Sequence, residues 1–284
     1  MELAKNYVSN LDEIYKAEAK ASVLDSDGIA KEGKNANEIC IPKISMNGLG
    51  DYSRNGGYVT NSVNVEYETV QFDYDRGTKI QVDAMDDEET RNVAFGMAGA
   101  ELERTKVIPE ADAYTFAKIA GKANISGTTG TLSTGADVLS ALITAVTTMD
   151  EDEVPEEQRF LFITPTLLNL VMGLDTTKSR EVLDKFAKIV KVPQTRFYTA
   201  IDLLDGTSQD EEAGGYAKAS AGKDINFMIC HKPAVIKYDK HKVSNIILAK
   251  DNQSADADML KFRKYGVVDV YANKVAGIYC HHKA

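Results

Sequence analysis

The stretch that decides the fold is residues 41–58, which read IPKISMNGLGDYSRNGGY and lead into a return segment, VNVEY, at residues 63–67. The return segment alternates apolar and polar side chains with the period of two that is typical of a β-strand. The sequence therefore predicts a long hairpin with a glycine-rich tip. At Thr69-Val70 the alternation slips by one residue, which indicates a bulge or the point where the hairpin meets the body. Two-stranded hairpins are marginal in water, so this one needs another surface to lie on, which indicates an assembly protein.

A long helix is predicted directly after the hairpin. Asp86 and Glu89 form a capping-box pair at its start, and Pro109 is expected to stop it. About twenty residues at 1.5 Å rise give a rod of roughly 30 Å. Gly96 and Gly99 each cost about 1 kcal/mol against alanine inside a helix, so we expect close packing against a sheet or another backbone there.

The order of these segments resembles the major capsid proteins of tailed bacteriophages, which have the HK-ninety-seven-type fold. In that family the hairpin is the E-loop, and the helix is the spine helix of the peripheral (P) domain. No single segment is a catalytic-grade motif, and the resemblance rests on order and spacing over most of the chain. The segments that carry it are residues 48–58, Asp75-Arg76-Gly77, and residues 83–90, 107–114, 162–166 and 270–279.

The resemblance implies an α+β phage capsid fold with an N-terminal arm, an extended β-hairpin E-loop, a spine-helix P-domain and an α/β axial (A) domain. The expected boundaries are 1–40 for the arm, 41–80 for the E-loop, 81–135 for the P-domain with the spine helix, 136–235 for the A-domain and 236–284 for P-domain return strands. The family often carries an N-terminal segment that is removed on maturation. This chain begins almost directly at the arm, so we expect a processed form or a separate scaffold protein.

Local sequence patterns predict further turns, helices and strands. Asp75-Arg76-Gly77 is expected to be a turn, and a second helix is expected from Pro109 to Gly121. In the A-domain the predicted elements are a strand at 159–163, a helix opened by Pro165, a helix capped by Ser179, a strand at 196–201 and a long polar loop at 205–224. From Ile225 onward six strands are predicted, at 225–230, 234–238, 245–249, 259–265, 267–271 and 275–279.

Composition limits the function classes. The chain has 284 residues, 43% of them hydrophobic, and no apolar run long enough to span a membrane. The formal charge of −10 argues against a dedicated nucleic-acid binder, although it permits a shell around DNA that reads no particular sequence. The three cysteines, an odd number, argue against a disulfide framework.

The motifs for catalysis and metal binding are missing or incomplete. The Asp25-x-Asp27-Gly28 run fails as a calcium loop, and Gly222-Lys223 fails as a phosphate loop because Asp224 stands where Ser or Thr is required. Cys230-His231 and Cys280-His281-His282 carry metal-ligating atoms, but neighbouring residues on a strand point to opposite faces. The favoured interpretation is a buried Cys and exposed tail histidines, with no cofactor and no metal.

The resemblance predicts a shell subunit that self-assembles through pentamers and hexamers into the icosahedral head enclosing phage double-stranded DNA. The expected partners are other copies of the chain, a scaffold protein, a portal, a maturation protease and the packaged DNA, in a virion assembled in the host bacterial cytoplasm. The alternatives are an encapsulin-type bacterial compartment and, from another class, a soluble α/β enzyme. The expected inter-subunit contact is the E-loop tip, with Leu49, Asp51, Tyr52, Arg54 and Tyr58.

Some members of this family join subunits by an isopeptide bond between an E-loop lysine and an asparagine of a neighbour. Residues 46–58 contain no lysine, Lys43 lies at one root of the hairpin and Lys79 lies near the body. We therefore expect the tip to be held by non-covalent contacts, in which Arg54 pairs with a carboxylate.

Overall fold

The computed structural model describes residues 19–26, 38–60, 62–83, 85, 99, 101–174 and 176–284. Most of the predicted arm, the helix-capping residues Asp86 and Glu89, and Gly96 lie outside this described part. No described helix is long and apolar enough to cross a membrane.

Twelve strands lie in the described part of the chain. They are β1 (Glu38–Met46), β2 (Val63–Gln71), β3 (Tyr74–Asp83), β4 (Ser126–Thr129), β5 (Arg159–Ile163), β6 (Lys188–Lys191), β7 (Ile201–Leu203), β8 (Tyr216–Lys218), β9 (Ile225–His231), β10 (Val235–Ile247), β11 (Ala257–Val270) and β12 (Ile278–His282). The four described α-helices are α1 (Ile108–Ala120), α2 (Gly135–Glu151), α3 (Pro165–Met172) and α4 (Thr177–Asp184).

A five-stranded sheet in the order β4-β12-β9-β5-β6 carries helices on both faces. Leu161, Phe227 and Tyr279 point to a core shared with α2, α3 and α4. Phe162 and Met228, one residue further along the same strands, point to the opposite core, which contains α1. This alternation follows from the period of two in a strand, and it makes the unit an α/β/α layer structure.

A second, antiparallel sheet has the order β10-β11-β3, and β1 and β2 form a separate hairpin. The turn between β2 and β3 is only two residues long, so the hairpin and this sheet are joined directly. The strands at 159–163 and 225–230 and the helix opened by Pro165 are confirmed. The chain is therefore α+β, as predicted.

The predicted turn at Asp75-Arg76-Gly77 is wrong, because these residues lie inside β3. Gly77 pairs with Arg263, and a Cβ atom at this position would come within 2.9 Å of the Phe262 carbonyl oxygen. Glycine is therefore needed here for the close approach of a neighbouring strand rather than for a turn.

The predicted stop at Pro109 is also wrong. A π-helical turn, Glu103–Val107, runs into α1, and the Ile108 N–H donates to the Glu103 carbonyl. The wider turn accommodates a proline, whose ring would otherwise clash with the carbonyl four residues earlier. The second helix itself ends at Gly121, as predicted.

Several predicted boundaries between residues 176 and 224 are corrected. The cap of α4 is Thr176, and Ser179 is its capping-box partner at the third helical position. Arg196 lies in a short 3-10 turn rather than a strand, because its side chain reaches a buried carboxylate on α1. The long polar loop contains β8, which pairs with β7.

The C-terminal strands are longer and fewer than predicted. β10 and β11 each replace two expected strands, because they pair continuously apart from one irregularity at Asp239/His241. Within residues 236–284, β10 and β11 lie in the antiparallel sheet, whereas β12 pairs with β9 and β4 in the five-stranded sheet. Consequently His281 is buried within that sheet and is not an exposed tail residue.

Candidate inter-subunit surface

The hairpin formed by β1 and β2 has one apolar, exposed face. Its register places Ile44 opposite Val65 and Met46 opposite Val63, so these side chains and Tyr67 share one face. All five are exposed, from 49% for Val65 to 70% for Met46. No described part of the chain covers this face, which is therefore available to another molecule.

At its root the hairpin buries the opposite face. Val70 pairs with Ile39, and both belong to a small buried cluster with Ile236 and Val267. The pairing of β1 with β2 has no irregular step, so the slip in the sequence pattern is not a bulge. The slip in the alternation marks the point where the hairpin meets the body. There the apolar side chains move from the exposed face of the hairpin to its buried face.

Most of the exposed apolar side chains of the described residues lie on this hairpin. Nine of the fourteen large hydrophobic side chains that are exposed belong to it. They are Ile44, Met46, Leu49, Tyr52, Tyr58, Val59, Val63, Val65 and Tyr67. Contiguous apolar patches of this kind mark interaction sites in soluble proteins.

The tip of the hairpin has a defined local structure. Ser53 and Gly57 exchange backbone hydrogen bonds of 3.2 and 2.7 Å, and Gly57 has a φ of +75°. The rings of Tyr52 and Tyr58 lie 4.9 Å apart between centroids. Leu49 is fully exposed beside this turn. A tip that is already ordered loses less conformational entropy on binding than a flexible one.

The two charged residues of the tip are exposed. Neither Asp51 nor Arg54 makes a hydrogen bond or an ion pair with another residue of the described part of the chain. The structure thus brings the predicted contact residues Leu49, Asp51, Tyr52, Arg54 and Tyr58 onto one tip. Whether they contact a neighbouring subunit remains a prediction.

Gly99 lies against the three-stranded sheet. A Cβ atom at this position would come within 2.9 Å of Leu260 Cδ2, on β11. Its close neighbour is thus a side chain of the sheet and not a second backbone. A flexible side-chain end can shift, so a small side chain is tolerated here more easily than a large one.

Arg76 on β3 forms hydrogen bonds with α1 and with both ends of the loop between β7 and β8, contacts that local sequence patterns did not predict. Its Nε and Nη2 lie 2.7 and 3.3 Å from the carboxylate oxygens of Glu110 on α1. Nη2 also donates to the carbonyls of Leu204 and Gly215, the two ends of the loop between β7 and β8. The hydrogen bond to Glu110 raises the pKa of Arg76.

A cavity of about 460 Å³ lies between that loop and the body, with Arg76, Lys106 and Glu110 in its lining. Asp205 shapes the loop, since the hydroxyl and backbone N–H of Ser208 and the backbone N–H of Thr207 donate to it. These bonds lower the pKa of the Asp205 carboxyl, with the Ser208 hydroxyl as the main cause. The Arg76–Glu110 pair in the cavity lining is thus engaged in hydrogen bonds that connect β3, α1 and the loop between β7 and β8.

A buried ion pair fastens the segment Ala19–Ser26 to the body. The Asp112 carboxylate accepts hydrogen bonds from the backbone N–H groups of Lys20 and Ala21 at 2.9–3.1 Å, and from Arg196 Nη1 at 3.0 Å. Lys237 Nζ donates to the Ala21 carbonyl. Local sequence patterns do not indicate this arrangement, because its members are far apart in the chain.

The cysteines and histidines that carry metal-ligating atoms, Cys230, Cys280 and His281, are buried in the core. Burial raises the pKa of the Cys280 thiol to about 12 and places that of Cys230 well above its ordinary value. The Asn226 amide Nδ2 donates to His281 Nδ1 at 2.9 Å, and the His281 ring stacks on Phe227. Among the described residues no group of three His, Cys, Asp or Glu side chains is placed to hold a metal ion.

Several solved structures of phage capsids have the same fold as this chain. The chain superposes on the asymmetric unit of the bacteriophage PhiM1 mature capsid with a TM-score of 0.67 at 13% identity, covering 98% of this chain and 91% of that one. It superposes on the capsid structure of the cyanophage P-SCSP1u with a TM-score of 0.65 at 15% identity, covering 100% and 93%. The chain has the phage capsid fold.

This phage capsid fold is also present, at lower similarity, in a virus-like particle from Pyrococcus furiosus. That superposition has a TM-score of 0.53 at 10% identity and covers 86% of each chain. No family model matches the sequence, and no curated protein matches it. At these identities the structural likeness establishes the fold.

Proposed function

We propose that this chain is the major capsid protein of a tailed bacteriophage, which self-assembles through pentamers and hexamers into an icosahedral head. The observation that carries the proposal is the exposed apolar hairpin on a chain with the phage capsid fold. An exposed stripe of this kind is a liability in a monomer and is stabilising when a second copy covers it. The subunit would belong to the virion and assemble in the host bacterial cytoplasm.

In this proposal the hairpin is the E-loop, and the β10-β11-β3 sheet with the helix containing Gly99 forms the P-domain. The five-stranded sheet with α2, α3 and α4 forms most of the A-domain. The loop between β7 and β8, held by Arg76, belongs to the A-domain as well. The proposal assigns the chain no catalytic activity and no cofactor.

The contact residues proposed at the E-loop tip are Leu49, Asp51, Tyr52, Arg54 and Tyr58. Partners beyond the chain itself would be a scaffold protein, a portal, a maturation protease and packaged double-stranded DNA. With a chain charge of −10, DNA would be enclosed without sequence-specific contacts.

The test is assembly of the purified chain, with scaffold protein supplied, followed by sedimentation and electron microscopy. We expect capsomers or closed shells. A Tyr58→Ser change should reduce assembly. The control is Met172→Ser on α3, which also removes an exposed apolar side chain (58% exposed) but lies outside the hairpin, so it should leave assembly unchanged. A wild-type chain that stays monomeric at high concentration would refute the proposal.

A second candidate is an encapsulin-type compartment, which is favoured by the likeness to the Pyrococcus furiosus virus-like particle. The two candidate functions differ in what the assembled shell encloses. Shells purified from the natural source should contain double-stranded DNA in the first case and cargo proteins without packaged DNA in the second. Nuclease-protected nucleic acid inside the shells therefore decides between them.

A further inference from the structure

One row of side chains crosses all three strands of the β10-β11-β3 sheet. The register places Asn245 opposite Lys261 and Lys261 opposite Lys79. Residues that pair across neighbouring strands share a face, so the three side chains project from the same side. All three are exposed, and their side chains offer hydrogen-bond donors and two positive charges in a line.

The face of this row is the one turned away from the helix. Leu260, one residue before Lys261, points to the opposite face, where it meets Gly99. Lys242 also belongs to that opposite face and forms an ion pair with Glu103. Within the described residues, the face bearing Lys79 and Lys261 carries no covering helix.

Two lysines directly opposite each other on adjacent strands destabilise a sheet through like-charge repulsion. In the next row on the same face, the charge of Arg263 is neutralised. Its guanidinium donates to both carboxylate oxygens of Asp75, at 2.9 and 2.6 Å. Lys79 and Lys261 have no comparable partner in the described part of the chain. Their arrangement fits an anion that binds between them.

Every carboxylate on these three strands already has a partner. Asp239 pairs with Lys264 and Asp269 pairs with Lys122, and Asp75 holds Arg263 as described above. Asp83 and Asp258 accept hydrogen bonds from backbone N–H groups. Asp51 differs, since it is exposed at the hairpin tip and has no ion-pair partner among the described residues. Each strand of the hairpin has nine residues, and at about 3.3 Å per residue the tip lies roughly 30 Å from the root. Asp51 makes no contact with the Lys79 of its own chain.

We propose that Lys79 and Lys261 form an anion-binding site for a second copy of this chain, and that Asp51 of that copy's hairpin tip occupies it. The inference rests on the proposed shell function, and it names the residues that contact each other between two subunits. Its physical basis is charge complementarity: a carboxylate between the two ammonium groups relieves their repulsion, and the adjacent apolar tip is buried by the same contact.

The experiment is a charge swap in assembly reactions free of DNA. Lys79→Glu with Lys261→Glu keeps the repulsion within the chain but reverses its sign, so subunit folding should be unchanged while shell yield falls about tenfold or more. The matched control is Lys188→Glu with Lys191→Glu, two exposed lysines on β6, the edge strand of the five-stranded sheet. Urea unfolding of dissociated subunits checks folding, and Lys79→Ala with Lys261→Ala gives a neutral version whose yield should fall less.

The decisive variant adds Asp51→Lys to the double glutamate change, and it should restore shell yield to near the wild-type value. If the double variant assembles as well as the control, the inference is wrong while the proposed function stands. If yield falls and Asp51→Lys does not restore it, Asp51 is not the occupant. If DNA-free assembly is normal but shells lose DNA on nuclease treatment, the row binds nucleic acid and the inference is overturned.

Discussion

Asp112 on α1 and Arg196 beside β7 form an ion pair of 3.0 Å in which both side chains are only 3% exposed. Two backbone N–H groups of the segment Ala19–Ser26 complete the hydrogen bonds of the carboxylate. Buried charges are tolerated when their partners are complete and are costly when one partner is removed. This pair therefore links docking of the N-terminal segment to the stability of the body.

Replacing Asp112 with Asn should destabilise the subunit by about 3–5 kcal/mol, because the buried ion pair with Arg196 and the charge-assisted hydrogen bonds from the N-terminal segment are lost together. Urea unfolding of the dissociated subunit measures the loss. The control is Asp75→Asn, which breaks the ion pair with Arg263, because both side chains of that pair are exposed, Asp75 to 46% and Arg263 to 58%. A loss at Asp112 no larger than at Asp75 would contradict this account of the buried pair.

A second prediction concerns Gly99, where Leu260 Cδ2 stands 2.9 Å from the position of a Cβ atom. Leucine here should overpack the contact, cost about 1–3 kcal/mol and lower the yield of shells. Alanine should be nearly neutral, because its higher helix propensity offsets a small shift of the Leu260 side chain. If the Gly99→Leu protein melts and assembles like the wild type, the helix does not pack closely on β11.

The histidines of the five-stranded sheet make stability depend on pH. Burial lowers the pKa of His281 and that of His231 from their ordinary value of 6.5. The unfolded chain then takes up protons at a higher pH than the folded chain, so stability is complete above about pH 6.5 and falls as the pH drops below it.

The measurement is urea unfolding of wild type and His281→Gln at about pH 7.5 and about pH 5.5. His281→Gln should be less stable than wild type at the higher pH but should lose less on acidification. His241→Gln, a change at an exposed histidine of β10, should leave the wild-type difference intact. A His281→Gln protein with the full wild-type pH dependence would show that another group is responsible.

The hairpin was predictable because its signals are local. Period-two alternation and a glycine-rich tip lie within thirty residues or so of each other, and the structure places β1 and β2 there. The turn at Asp75-Arg76-Gly77 was mistaken because Gly77 serves a close approach to Phe262, which is distant in sequence. A single sequence shows which residues favour a turn, but it does not show which strand will lie beside them.

Long-range pairs were missed for the same reason. Asp112 and Arg196 are separated by 84 residues, and Arg76 reaches carbonyls 128 and 139 residues away. Nothing in local composition marks such partners. The continuous helix through Pro109 was missed because the π-helical turn that accommodates the proline has no local signature.

The last prediction concerns how mature shells are held together. A covalent weld through the hairpin needs a lysine on its outer part, and the tip from Met46 to Tyr58 has none. Its only cation is Arg54, which cannot form an isopeptide bond but can hold a carboxylate through its planar fork. Mature shells boiled in detergent should therefore run as a single monomer band on a denaturing gel.

Arg54→Ala should weaken such shells towards denaturant without changing the unfolding of the dissociated subunit, because the exposed tip adds little to the core. Arg180→Ala, a change on α4 away from the hairpin, is the matched control and should leave shell stability unchanged. A ladder of covalent multimers on the gel would contradict the non-covalent account. It would also direct attention to Lys43 or Lys79 as the bonding residue. Lys43 lies opposite Glu66 within β1 and not at the root of the hairpin as predicted, and Lys79 lies on β3.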